Sequence, residues 1–381
     1  MEKKHQKHIS LTRPNLGNFG RNEIALVGTH CDVIKDLSDD LIAFFEKKYQ
    51  IAYLDAAHNK SDIPKKLVAG AAIDFSDNID YQSFNLKNTF TNFEFRRFFN
   101  DMDLLLVNGN HHVAVEQIVF IDETKKTSLQ KRLSQLTNVQ LFIFKEKNDE
   151  IFDFLKENIP NWEKIPVLQL TDKEAIVTFF TKKIGEKKPP LFGLVLAGGK
   201  SLRMGTDKGA ITWHNGQEQR YYMADLLQKL GIETFISCRD IAQKNGLNAD
   251  YQYITDSFID LGPYGAILSA FRHNPNVSWL VVACDLPLLD LETLNELIEN
   301  RDVSSIATTF ESPFDGLPEP LITIWESKSY ATLLSFFGQG YSCPRKVLRN
   351  TKVKILQAKN PEKLVNVNTQ EEKDDLSKSR I

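Results

Sequence analysis

The sequence predicts an α/β protein of two domains, each a mostly parallel sheet flanked by helices. Short apolar runs alternate with helical patterns along the chain, the signature of βα units. Its 381 residues exceed what one hydrophobic core usually organises. A charged stretch ending in a proline pair, 182–190, breaks the pattern near the middle. Apolar residues make up 42% and charged residues 25%, ordinary for a globular protein, and a net charge of −3 argues against a nucleic-acid polymer as partner. No apolar run approaches the roughly 20 residues that span a bilayer, so no membrane association is expected. Residues 1–22 are basic and polar, which predicts a flexible leader rather than a secretory signal, and a cytoplasmic protein. Cys31, Cys238, Cys284 and Cys343 lie far apart without a C-x-x-C pair, and are expected as reduced thiols.

The first domain is expected over 23–184. Ile24-Ala25-Leu26-Val27-Gly28 reads as a buried strand, followed by a helix with Leu37, Leu41, Ile42, Phe44 and Phe45 on one side. Further strands are predicted at 51–54, 104–107, 118–121, 141–144 and 167–170, with helices at 150–158 and 172–183. Residues 76–97 show little periodicity and are expected to form a long loop or irregular insert. The landmarks Ile51 to His58, Ala69-Gly70-Ala71 and Asp103 to Gly109 follow an order similar to the MobB-type molybdopterin-guanine dinucleotide accessory proteins, which have a P-loop GTPase-like fold. Where that family has Gly-Lys-Thr, this chain has Gly28-Thr29-His30-Cys31-Asp32. An acidic Asp32 in the loop would repel phosphates and no Lys-Ser/Thr pair follows, so the loop reads as degenerate and nucleotide hydrolysis is not expected. His111-His112, with His5 and His8, has no carboxylate or cysteine spaced to complete a metal site. The expected role of this domain is docking or substrate delivery.

A linker is expected at 185–190, then a second domain over 191–375 and a tail at 376–381. An apolar strand after Pro189-Pro190 should deliver its C-terminal end into Gly198-Gly199, where backbone N–H groups can approach a ligand. Lys200, Arg203 and Lys208 add three cations, so polyanion binding is the inference. The spacing fits neither a Walker loop nor G-x-G-x-x-G. Helices are predicted at 217–230 and around 266–272, and strands at 233–237, 251–255 and 279–284. Asp256 and Asp285 each follow a strand. An aspartate there can cap the next turn, or face bound phosphates and hold Mg²⁺. Gly262-Pro263-Tyr264-Gly265 is a turn in which backbone can come close to a ligand.

Leu196 to Lys208 reads L-A-G-G-x-S-x-R-M-G-x-D-K, which resembles the signature of the MobA-like nucleotidyltransferases, above all the molybdenum cofactor guanylyltransferases. Asp256 with Gly262-Pro263, Cys284-Asp285-Leu286-Pro287, Glu319-Pro320-Leu321, Ser342 to Leu348 and Asn366-Val367-Asn368-Thr369 resemble later segments of that family, in order. Two departures are visible: Tyr264-Gly265-Ala266 replaces Leu-Ala/Gly-Gly, and the Asn common after the second strand is missing from Ser237-Cys238-Arg239. The resemblance implies a Rossmann-like domain binding nucleotide through Leu196, Ala197, Gly198, Gly199, Lys208, Asp256 and Asp285. It implies Arg203, Lys208 and Asp285 as catalytic groups, Mg²⁺ on Asp285, and Asn366 and Asn368, on one face of a strand, as acceptor contacts.

The implied reaction transfers GMP from GTP to molybdenum-bound molybdopterin, with molybdoenzymes or cofactor-insertion proteins downstream. The alternatives are a cytidylyl or sugar-phosphate transferase of the same fold, and a non-catalytic scaffold that delivers cofactor.

Overall fold

The computed structural model describes residues 10–57, 63–147, 149–197, 208–214, 216–367 and 371–372. The chain divides into two units, Leu16–Lys187 and Met1–Asn15 with Lys188–Ile381.

In the first unit, β1 (Glu23–Val27), α1 (Cys31–Phe45), β2 (Ile51–Leu54) and α2 (Lys65–Val68) come first, then β3 (Ile73–Asp77), β4 (Gln82–Leu86) and α3 (Asn92–Phe99). They are followed by β5 (Leu104–Asn108), β6 (Glu116–Ile121), α4 (Lys126–Gln130), β7 (Val139–Phe144), α5 (Asp153–Asn158), β8 (Val167–Gln169) and α6 (Lys173–Glu186). Six of the strands form a parallel sheet in the order β2-β5-β1-β6-β7-β8. The central strands β1, β5 and β6 are buried along their whole length, as a sheet covered on both faces requires. Leu37, Leu41 and Phe45 of α1 pack with Ile176, Phe180 and Ile184 of α6 on one face.

Three expectations change here. Residues 76–97 are not irregular: β3 and β4 pair as an antiparallel hairpin with Phe75 opposite Phe84, and α3 follows. The sequence signal for α3 is Thr91-Asn92-Phe93-Glu94, a capping box in which Glu94 accepts from the Thr91 N–H at 2.7 Å. In the stretch expected as a leader, Asn18, Phe19 and Gly20 donate their backbone N–H groups to the buried Glu23 carboxylate at 2.8, 2.6 and 3.2 Å. Helix α6 runs on through Glu186 into the stretch expected as a linker, and the units divide after Lys187.

In the second unit, β9 (Leu191–Leu196) leads through a short helical turn at Lys208–Ala210 to β10 (Thr212–His214), β11 (Gln217–Glu218) and α7 (Gln219–Lys229). Next come β12 (Glu233–Cys238), α8 (Ile241–Asn245), β13 (Gln252–Thr255), α9 (Pro263–His273), β14 (Ser278–Ala283) and α10 (Leu291–Glu299). The unit continues with β15 (Ala307–Glu311), β16 (Pro318–Trp325), α11 (Ser329–Gly338), α12 (Pro344–Arg349) and β17 (Val353–Leu356). The seven-stranded sheet has the order β13-β12-β9-β14-β16-β15-β17. Its first four strands are mutually parallel, while β16 runs antiparallel to both β14 and β15.

Alternation along β9 and β14 sends side chains to opposite faces. Val195, Leu280 and Val282 pack under α7 and α10; Leu194, Trp279 and Val281 pack with Tyr264, Ile267 and Phe271 of α9 and Leu333 of α11. At the N-terminal end of β14, Arg301 and Glu326 form a buried bidentate pair at 2.7 and 2.8 Å, and the same guanidinium donates to Ser278 Oγ at 2.8 Å. Among the described residues no helix is long and apolar enough to cross a membrane.

Candidate active site in the second unit

Because β13, β12, β9 and β14 run parallel, their C-terminal ends share one edge of the sheet. That edge is where ligands gather in open α/β sheets. Leu196 ends β9, paired with Ser237 of β12 and Ala283 of β14. The backbone N–H of Ala197 donates to Ser237 Oγ at 3.2 Å, so β12 fixes the first residue of the glycine loop. Ser237, in the stretch from which the family's Asn is absent, therefore supports the start of the loop.

Gly198, Gly199 and Arg203 lie outside the described residues, as does the Lys208 side chain. Where the chain resumes, Gly209 sits so close to Arg220 and Ala197 that a Cβ there would meet the guanidinium carbon at 3.2 Å and the Ala197 methyl at 3.4 Å. Arg220, only 2% exposed and paired with Glu218 at 2.9 Å, thus lies behind both ends of the loop. His214 of β10 stacks on Tyr222 at 3.7 Å between ring centroids, and its Nε2 lies 2.9 Å from the Pro287 carbonyl. None of Ser237, His214 or Arg220 was singled out from the sequence. Their contacts join segments that carry no shared local motif.

Asp256 follows β13 and donates its N–H to the Cys238 carbonyl at 2.9 Å. Its Oδ1 is buried with no hydrogen-bond partner among the described residues, and burial pushes its pKa up to about 6. A desolvated carboxylate oxygen in this position suits a cation. Gly262 enters α9 at φ +57°, ψ −137°, a conformation that favours glycine, and Pro263 starts the helix. Tyr264, a departure from the family pattern, is fully buried, and its hydroxyl donates to the Leu333 carbonyl at 2.7 Å. It locks α9 to α11 inside the core.

Asp285 lies just beyond β14. The Val367 N–H donates to its carbonyl at 2.8 Å. This brings Asn366 next to the Asp285 turn, with a buried Oδ1 that finds no donor among the described residues. The expectation of a strand carrying Asn366 and Asn368 is corrected: 365–367 follow a short helix, Pro361–Leu364, in irregular backbone held by that bond, and Asn368 lies outside the described residues.

Glu319 and Arg345, seen in the sequence only as separate segments, meet in space. Arg345 donates to Glu319 Oε2 at 3.3 Å and to Asp315 Oδ2 at 2.7 Å. Two buried threonine hydroxyls, from Thr309 and Thr323, donate to the Glu319 carbonyl at 2.5 and 2.6 Å and fix the residue's backbone. Burial raises the Glu319 pKa and the charge of nearby Asp285 adds to the shift, while Arg345 opposes it. Among the described residues the edge therefore combines the strand end at Ala197, carboxylates at two strand ends, and an Arg–Glu pair beside one of them.

In the first unit, the loop after β1 is filled by its own hydrogen bonds. Gly28 turns at φ +101°, and a Cβ there would meet the Phe120 carbonyl at 2.6 Å. The Thr29 hydroxyl donates to Asp122 at 2.7 Å, and the Thr29 carbonyl accepts from Asn110 at 2.9 Å. Burial works against the Asp122 charge, but hydrogen bonds from Thr124, Thr29 and Lys145 hold its pKa down to about 2. Asp32 lies in the first turn of α1 rather than in the loop, where its charge suits the helix N-terminus. Cys31 and Asp55, distant from His111 in sequence, both come within 4 Å of its ring. Even so, no group of three His, Cys, Asp or Glu among the described residues could hold a metal ion.

The described part of the second unit is thus an α/β domain with carboxylates gathered at the C-terminal edge of its parallel strands. Residues 193–355 match the family model of the MobA-like NTP transferase domain, so this half of the chain carries that domain. The molybdenum cofactor biosynthesis bifunctional protein of Synechocystis is 31% identical over 190 residues, half of this chain and 54% of that protein. The chain thus spans about half the length of that relative. The molybdenum cofactor guanylyltransferase of Pseudomonas fluorescens is 29% identical over 48% of this chain and 92% of its own length. Among solved structures, molybdopterin-guanine dinucleotide biosynthesis protein A of Archaeoglobus fulgidus covers 50% of this chain and 100% of its own at 22% identity and a TM-score of 0.42. Bacillus subtilis MobB covers 42% of this chain and 96% of its own, at 12% identity and a TM-score of 0.30.

Proposed function

We propose that the second unit transfers the GMP moiety of GTP to the terminal phosphate of molybdenum-bound molybdopterin, in the cytoplasm, yielding molybdopterin guanine dinucleotide and pyrophosphate. The observation that carries this reading is the backbone tie between Val367 and Asp285, which brings the segment of Asn366 to the Asp285 turn, at the edge of the sheet where the glycine loop begins. Nucleotidyl transfer of this kind depends on positioning and charge neutralisation rather than on covalent steps by the protein. In this account Leu196 to Gly199 hold the nucleotide through backbone, and Arg203 and Lys208 neutralise the triphosphate and the departing pyrophosphate. Asn366 and Asn368 orient the acceptor, and Arg345, held by Glu319, fixes the wall beside Asp285. The carboxylates fit Mg²⁺, which takes one or two protein oxygens and fills its shell with phosphate and water. Asp285 would hold it, and when bound it would neutralise charge developing at the α-phosphate.

The test is product identification. The full chain is incubated with acceptor and an equal mixture of GTP and CTP, and the dinucleotide formed is read by mass spectrometry. The guanine product dominating supports the reading; the cytosine product moves the protein to the neighbouring branch. Lys208→Ala should cost on the order of 10² to 10³ in kcat.

A further inference from the structure

Three side chains remote in sequence meet at the C-terminal ends of β1, β2 and β5 in the first unit. Cys31 is the first residue of the 15-residue helix α1. Its Sγ lies 3.4 Å from His111 Nε2 and 3.7 Å from Asn110 Nδ2. Asp55 Oδ1 lies 3.7 Å from the same His111 nitrogen. The Asp55 carboxylate is itself held by the Tyr53 hydroxyl at 2.9 Å and the Ala56 N–H at 2.7 Å. Burial works against its charge, yet these bonds together with Asn108 and His111 keep its pKa below the ordinary carboxylate value.

The contact places a ring nitrogen that can act as base beside the thiol. With the proton on sulfur, the His111 Nε2 lone pair faces the Asp55 oxygen. With the proton moved to Nε2, the N–H is placed to be accepted by the sulfur, and the Asp55 carboxylate lies 3.7 Å away as a counter-charge to the ring. Asn110 adds a second N–H toward the sulfur, and the start of α1 adds its positive end. Cys31 is partly accessible, whereas Cys238 and Cys284 are buried and Cys343 is exposed without such neighbours in its hydrogen bonding.

We propose that Cys31 is a nucleophilic thiol served by His111 as base, with Asp55 and Asn110 as positioning residues, and that the first unit takes small disulfides there by exchange. The Cys31 proton passes to His111. The thiolate attacks one sulfur of RS–SR, the new Cys31–S bond forms as the S–S bond breaks, and RS⁻ leaves with the electron pair and takes up the proton from His111. No external oxidant or reductant is needed.

The test uses the full native chain with limiting 5,5′-dithiobis(2-nitrobenzoate) at neutral pH, followed by peptide mapping. The expected result is modification of Cys31 at least about tenfold faster than exposed Cys343. His111→Gln should slow Cys31 by about tenfold and leave Cys343 unchanged, with His112→Gln as the neighbouring control. Preferential reaction of Cys343 in the wild type, or an unchanged Cys31 rate in His111→Gln, overturns the proposal. The wild-type ratio needs no substitution, so a poorly folding variant does not remove the test.

Discussion

The backbone N–H of Val367 donates to the carbonyl oxygen of Asp285 at 2.8 Å, tying the C-terminal segment to the turn that follows the central strand. Two substitutions separate the bond from the side chain it positions. Val367→Pro removes the donor, a loss of about 1 kcal/mol, and should raise the acceptor KM roughly fivefold with the KM for GTP unchanged. Asn366→Ala keeps the bond and should raise the acceptor KM as well. Steady-state kinetics with each substrate varied in turn check both.

Arg345→Ala leaves the carboxylate of Glu319, whose side chain is 5% exposed, without its guanidinium donor. A loss of about 1–3 kcal/mol in stability is expected. Glu319 already has a raised pKa, and removing Arg345 raises it further, because that cation opposes the shift. A group raised in the folded state contributes stability that is present at low pH and lost as pH rises through its folded pKa. The melting temperature of Arg345→Ala should therefore fall further below wild type at pH 8 than at pH 5, and adding Glu319→Gln should recover part of the difference.

Asp256 gives a second pH signature. Its pKa is pushed up to about 6 by burial, so the protonated form is favoured in the folded state, and stability is lost as pH rises from about 4 through about 6. Asp256→Asn removes that dependence. Thermal melts should show the variant more stable than wild type at pH 8, with the gap closing toward pH 5.

Much of this site was legible because its chemistry sits in contiguous runs at strand ends. Leu196-Ala197-Gly198-Gly199, Cys284-Asp285-Leu286-Pro287 and Asn366-Val367 each carry their own spacing. What joins them does not. Ser237 under Ala197, Arg220 behind Gly209, and Arg345 on Glu319 are contacts between segments, fixed by sheet order rather than by local pattern. The same holds in the first unit, where Cys31, Asp55 and His111 follow three different strands and meet only because β2, β5 and β1 are neighbours. The β3–β4 hairpin was missed for another reason. Each of its strands is only five residues long, and the alternating apolar positions Ile73, Phe75 and Phe84 are exposed rather than packed on a core.

At the other end of β14, the Arg301–Glu326 pair is 4% and 2% exposed in its side chains and is bridged by Ser278. Arg301→Ala strands a buried carboxylate and should cost about 3–5 kcal/mol. Because the pair lies at the opposite end of the sheet from Asp285, the variant that remains folded should keep its KM for GTP. Denaturant unfolding and a GTP titration at low temperature measure the two effects separately.

The central claim is that Asp285 serves acceptor-dependent guanylyl transfer, and pyrophosphate release tests it most directly. Release is followed with Mg²⁺ and GTP, with and without molybdenum-loaded molybdopterin, for wild type, Asp285→Ala and Asp285→Asn. The account predicts release only with acceptor in the wild type, falling at least about 10²-fold in both variants while they remain folded. Release without acceptor, or undiminished release in the variants, would contradict it.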